Sequence, residues 1–165
     1  MSFVHVTKDQ LVDDVLRDGL RIGMPPDLTS ECAWALRHYG NNPVFLCRLD
    51  SDFYDGMSRF GYYGVRPHVD VDTGVLDIVA DLAALIDHGG GYEADRGRIR
   101  WRNGREPPAM TLFLDRRSSV AISRLLDPTD PACCAAIELT GTAACMGDIP
   151  PNRLSLRTVI AARMG

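Results

Sequence analysis

The chain has no Cys-x-x-Cys pair, and none of its five cysteines (Cys32, Cys47, Cys133, Cys134, Cys145) stands at metal-ligand spacing from its four histidines. That excludes a zinc-ribbon or disulfide-stapled scaffold, and an odd, scattered set predicts reduced thiols in a cytosolic setting. No basic segment followed by an apolar run opens the sequence, so no cleavable signal peptide is expected. The longest apolar stretch, Val75 to Ile86, is interrupted by Asp77 and Asp81 and is too short and polar to cross a membrane. No internal repeat and no low-complexity linker divides the chain. These absences predict a single domain over residues 1–165 that is cytoplasmic, or exported without a cleavable signal, and has no membrane partner.

A chain of 165 residues with 45% hydrophobic content buries a sizeable core without staples. Residues 1–90 hold 7 Lys+Arg against 14 Asp+Glu, whereas residues 91–165 hold 11 against 8. The asymmetry suggests a polarised surface, while the acidic total of −4 argues against a general nucleic-acid coat protein.

The first residues read as a strand, Phe3 to Thr7, then an amphipathic helix with Leu11, Val12, Val15 and Leu16 on one face. Thr7 and Gln10 form a capping-box pattern, and Gly19 stands where a helix wants a left-handed terminal residue. Further along, the pattern predicts a helix from Thr29 to Tyr39, a strand from Val44 to Leu49 and a polar loop over residues 50–60. An aromatic, Gly-punctuated segment with some strand character covers 61–72, and a helix covers Val75 to Ile86, ended by the flexible Gly89-Gly90-Gly91. Arg98-Ile99-Arg100-Trp101-Arg102 followed by Asn103-Gly104 predicts a hairpin whose return begins at Arg105. A strand from Met110 to Leu114, a helix from Ser118 or Ser119 to Leu126, and strands over Cys133–Leu139 and Leu154–Ile160 complete the reading. Without a regular βαβ rhythm, this mixture predicts an α+β fold with mainly antiparallel sheet.

Two groups of residues resemble a known family. Strand-His5-x-Thr7, the helix and Gly19-Leu20 are similar to the opening of ADP-ribosyltransferase-fold domains. The run Met110 to Leu114, Ala135-Ala136-Ile137-Glu138-Leu139 and Asp148-Ile149-Pro150-Pro151 resembles the later part of the same fold, where Ile-Pro-Pro introduces the last strand. The resemblance implies a split antiparallel sheet with flanking helices and an NAD-dependent transfer of ADP-ribose to a protein or nucleic-acid acceptor. It implies that His5, Thr7 and Arg21 hold NAD, that an aromatic residue (Tyr62 or Tyr63) stacks on nicotinamide, and that a late Glu serves the nicotinamide ribose. Glu138 is the only acid on the later strands predicted above, and with His5 it forms the catalytic expectation. A carboxylate there would stabilise the positive charge that develops as the nicotinamide–ribose bond breaks. The Glu-x-Glu or Gln-x-Glu of the arginine-modifying branch is absent, since Ala136 stands two residues before Glu138, and target specificity does not carry over.

Each of these residues has a plainer reading. His5 between Val4 and Val6 suits the outward position of a half-buried strand, Thr7 suits a helix cap, Glu138 a solvent-facing alternate, and Tyr62-Tyr63 simple packing. Arg96, Arg98, Arg100 and Arg102 at period 2 form a stripe that could bind phosphates of a nucleotide or nucleic acid, or a solvated face paired with acids. His68, Asp70 and Asp72 share a strand face as three cation ligands without a fourth, so no metal is expected. Two alternatives stay open beside the transferase. One is a non-catalytic binding or immunity module of the same fold; the other is an RNA 2′-phosphotransferase-like enzyme.

Overall fold

The computed structural model describes residues 2–23, 39–59, 66–93, 96–102, 106–115 and 118–157. Among the described residues nine strands fall into two antiparallel sheets: β1 (Phe3–Val6), β2 (Val44–Arg48), β3 (His68–Val71), β4 (Ile78–Ala80), β5 (Gly90–Glu93), β6 (Arg98–Trp101), β7 (Ser119–Ala121), β8 (Thr142–Cys145) and β9 (Leu154–Arg157). The larger sheet runs β4-β8-β2-β1-β3-β9 and the smaller β5-β6-β7. The helices are α1 (Val12–Asp18), α2 (Asp52–Arg59), α3 (Leu82–Asp87), α4 (Ile122–Leu125) and α5 (Pro131–Thr140). The fold is thus α+β with antiparallel sheets.

β1 is central, with Phe3 opposite Arg48 on one side and Val71 on the other. One continuous core joins the sheets, drawing Phe3 and Leu46 from the larger, Ile99 and Trp101 from the smaller, and Leu82 and Leu85 from α3. The predicted strands at 44–49 and 154–160 are present as β2 and, over the described residues, β9. The alternation of Ile99 and Trp101 inward is present in β6, where both are buried.

Several predicted elements differ. Residues 133–139 are helix, within α5. Asp130 caps it by accepting from the Ala132 N–H at 2.8 Å, Pro131 occupies its first turn, and Gly141 ends it in the left-handed conformation with φ 67°. The run looked like a buried strand because this helix is apolar on most sides, with Ala132, Cys133, Ala135, Ala136 and Ile137 all buried, so it shows little amphipathic period. The predicted helix over 75–86 splits at Asp81, which ends β4 and caps α3 by accepting from Ala84 N–H at 3.1 Å. The segment 110–114 is not a strand but part of a 3-10 turn, Pro108–Phe113, opened by its proline. Residues 119–121 are strand before α4 starts.

The loop expected at 50–60 contains α2, capped by Ser51, whose hydroxyl accepts from Tyr54 N–H at 3.1 Å and donates to the Arg48 carbonyl at 2.7 Å. Thr7 does not cap the first helix: Lys8 precedes a 3-10 turn at Asp9–Leu11, and the Thr7 N–H bonds the Pro67 carbonyl at 3.1 Å. Gly90 and Gly91 are strand rather than hinge. A Cβ on Gly90 would stand 2.8 Å from the Leu85 carbonyl oxygen, so glycine is what lets β5 approach α3. The turn Asn103-Gly104 and the return at Arg105 lie outside the described residues, as do residues 29–38 of the predicted second helix. β6 has both edges taken, by β5 and β7, so a returning strand has no edge there to pair with. Among the described residues no helix is long and apolar enough to cross a membrane.

Candidate functional site

The two segments that resemble the family meet. Leu20 N–H donates to the Ile149 carbonyl at 2.9 Å, and Ile149 N–H returns the bond to Leu20 at 2.7 Å. Asp148 adds a carboxylate oxygen that accepts from Ile22 N–H at 2.8 Å. Gly19 makes the approach possible. Its φ of 87° and ψ of −177° belong to a region open essentially to glycine alone, and any Cβ would fall 2.3 Å from the Ile149 carbonyl oxygen.

His5 lies opposite Val69 on β3 and is half-buried. Its Nδ1 is 3.1 Å from the Phe45 carbonyl, and because a carbonyl only accepts, Nδ1 carries the proton. Burial lowers the imidazole pKa, and the Phe45 bond offsets this in part. His5 is therefore neutral at pH 7, with an unprotonated Nε2 able to accept from a hydroxyl. Thr7, two residues on, is buried. Arg21 is exposed and close enough to Asp18 to help depress that carboxyl, after the stronger bond from Arg17. Tyr62 and Tyr63 lie outside the described residues.

Glu138 sits in the last turn of α5 with its side chain exposed. The premise that it is an acid on a late strand is corrected: the later strands, β8 and β9, carry no acid. The cause is again the Asp130-Pro131 start and Gly141 stop that make this run helical.

The arginine stripe is partly broken up. Only Arg98 and Arg100 belong to β6; Arg96 is separated from it by Gly97 with φ 57°, and Arg102 follows its end. Arg98 donates to the Asp115 carboxylate and, through Nε, to the Ser119 hydroxyl at 2.8 Å. Arg100 faces Glu93 at 3.6 Å. His68, Asp70 and Asp72 do not converge on a cation. Asp70 bonds Arg157 at 2.9 Å and Asp72 bonds Arg153 at 2.7 Å, and no group of three metal-capable side chains exists among the described residues. These ion pairs line a surface groove of about 660 Å³ near Ser2 and Phe3, at the end of β1 away from Thr7.

Two polar clusters escaped the sequence reading. The buried His68 has Nδ1 at 2.7 Å from the Arg66 carbonyl, which it must donate to, and Nε2 at 2.6 Å from the Tyr54 hydroxyl, which donates to it. At the β4–α3 junction the Tyr39 hydroxyl donates to Ala80 O and accepts from Leu82 N–H, each at 2.9 Å. Beside it Asp81 is buried, its carboxyl pKa raised by desolvation against bonds from Ala84, Thr142 and Ala83. Burial also pushes the Cys47 thiol up to about 12 and the Cys133 thiol to about 11. Such thiols are poor nucleophiles at neutral pH. The Asp81-Leu82 start of a helix was the available sequence signal for one cluster; nothing local signalled the Tyr54–His68 pair. Comparison of the chain with protein-family models, curated proteins and solved structures gives no match.

Proposed function

We propose that the chain is an ADP-ribosyltransferase-fold domain that binds NAD beside the β1 strand and transfers ADP-ribose to a macromolecular acceptor. The observation that carries the reading is the Leu20–Ile149 bridge. Gly19-Leu20 and Ile149-Pro150-Pro151 each resemble the family separately, lie about 130 residues apart, and are joined by reciprocal hydrogen bonds. His5 adds chemical fit: a neutral imidazole with its tautomer set by Phe45 presents Nε2 to a ribose hydroxyl. In this reading Arg21 is an exposed cation near the same strand–helix unit, suited to a diphosphate. Glu138 supplies the carboxylate that favours the transition state for nicotinamide loss.

A second reading, a non-catalytic binding module, is favoured by one observation: Glu138 is exposed on a helix instead of held on a strand. A thermal-shift titration with NAD and a nicotinamide-release assay separate the two. NAD at about 100 times its dissociation constant stabilises a fold by about 2.7 kcal/mol. The transferase requires that shift together with release that His5→Ala and Glu138→Gln both abolish. A shift without release selects a degenerate, non-catalytic form of the domain, and no shift refutes the transferase and leaves the binding module.

A further inference from the structure

We infer that the outer face of the β5-β6-β7 sheet is a docking surface for the sugar–phosphate backbone of a nucleic acid, read without base contacts. Its place as the acceptor dock rests on the transferase reading; the surface itself does not. The register divides the sheet cleanly. Tyr92 opposite Ile99 and Gly90 opposite Trp101 face the core, with Val120 beside Ile99. The other face carries Gly91 opposite Arg100, Glu93 opposite Arg98, and Ala121 on β7, with Ser119 buried beneath Arg98 and Asp115. Every large apolar side chain of the sheet points inward, so the outer face offers a peptide partner nothing to bury. Protein interfaces depend on such apolar and aromatic anchors, whereas nucleic-acid interfaces are polar and cationic.

The cations of this face divide into one holder, Arg98, and two binders, Arg100 and Arg102. Arg98 is fixed by Asp115 and Ser119 and braces the sheet. Arg100 has about half its side chain exposed, and Glu93 stands 3.6 Å away, beyond a good hydrogen bond. An exposed pair of this kind is weak, so a phosphate can displace the carboxylate. Arg102 is exposed and forms no ion pair among the described residues. The Arg102 stem lies against Gly91, its Cγ 3.9 Å from where a Cβ would be, which keeps it on the outer face beside Arg100. Guanidinium forks suit phosphate oxygens. With Trp101 and Tyr92 turned inward, the described face of this sheet presents no ring for base stacking, and contacts confined to phosphates carry no sequence information.

The test is fluorescence anisotropy of the full chain, without NAD, against labelled single-stranded RNA, single-stranded DNA and duplex DNA of two unrelated sequences. Engagement of two phosphates, by Arg100 and Arg102, gives a log–log salt slope of about −2 on duplex and about −1.5 on single strands. Arg100→Ala and Arg102→Ala each lower that slope by about 1, and Arg100→Lys retains it. Glu93→Gln, which leaves every arginine in place, tightens binding about 1.5- to 5-fold. The better-bound polymer identifies the nucleic acid. Salt-independent binding, a marked sequence preference, unchanged affinity in Glu93→Gln and Arg100→Ala, or stronger competition by polyglutamate than by unlabelled oligonucleotide overturns the assignment, the last in favour of an acidic protein. Oligonucleotide binding by a chain that ignores NAD removes the transferase reading and leaves this surface standing; nicotinamide release by a chain that ignores oligonucleotides does the reverse.

Discussion

Gly19→Ala tests the clasp that joins the two halves of the candidate site. The substitution adds one methyl group at a backbone conformation of φ 87° and ψ −177°, which costs a non-glycine residue about 1–3 kcal/mol. The new Cβ would lie 2.3 Å from the Ile149 carbonyl oxygen, a backbone atom that cannot rotate away. Relief requires the 148–150 segment to move, and that breaks the reciprocal Leu20–Ile149 hydrogen bonds, worth about 0.5–1.5 kcal/mol each. The total is about 2–6 kcal/mol. For a chain of this size each kcal/mol lowers the melting temperature by about 2–4 °C, so a fall of about 4–24 °C is expected by circular dichroism. Hydrogen exchange should show the Leu20 and Ile149 amides losing protection before the strand amides of β1. Gly147→Ala is the control: it has a φ that any residue adopts and nothing within 4 Å of its Cβ, and it should leave the melting temperature within about 2 °C. A Gly19→Ala protein that melts with the wild type and keeps both amides protected refutes the clasp.

Two further predictions concern pH. The folded-state pKa of His5 is lowered by burial, so the unfolded chain takes up a proton first; stability is full above about pH 6.5 and falls as pH drops below it. His5→Gln keeps a donor for Phe45 without a titrating ring, and its chemical-denaturation midpoint should vary less between pH 7 and 5. Asp81 has the opposite sign. Its folded pKa is raised by burial, so its contribution is greatest below about pH 3.8 and declines as pH rises through the folded value. Asp81→Asn keeps a capping oxygen for α3 and should be more stable than wild type at pH 8, with the gap closing toward pH 4.

Part of the sheet was legible. Phe3 to Val6 and Val44 to Arg48 read as short apolar runs bounded by polar residues, whereas Arg98 to Trp101 declares itself by period 2, and the inward Ile99 and Trp101 follow from it. α5 was illegible for the complementary reason. A helix buried on most sides has no period to detect, and only its end signals, Asp130-Pro131 and Gly141, distinguish it from a strand. Placing Glu138 on a strand therefore failed with the element that carries it. His5 and Thr7 were found at a strand end, but the Phe45 carbonyl that sets the His5 tautomer is 40 residues away and leaves no local mark. Tyr54 and His68 meet by the same kind of distant pairing.

The strand order also dictates a sequence of events during synthesis. β1 pairs with both β2 and β3 within the first 71 residues, yet that three-stranded unit has two open edges. β8 closes the β2 edge and β9 the β3 edge, and both come from residues 142–157. A ribosome making this chain from its N-terminus therefore carries a sheet with unpaired edges until nearly the last segment emerges. The same late segment brings Ile149 to Leu20. Completion of the larger sheet and assembly of the candidate site depend on the same late segment, and a chain stopped at Gly141 would have neither.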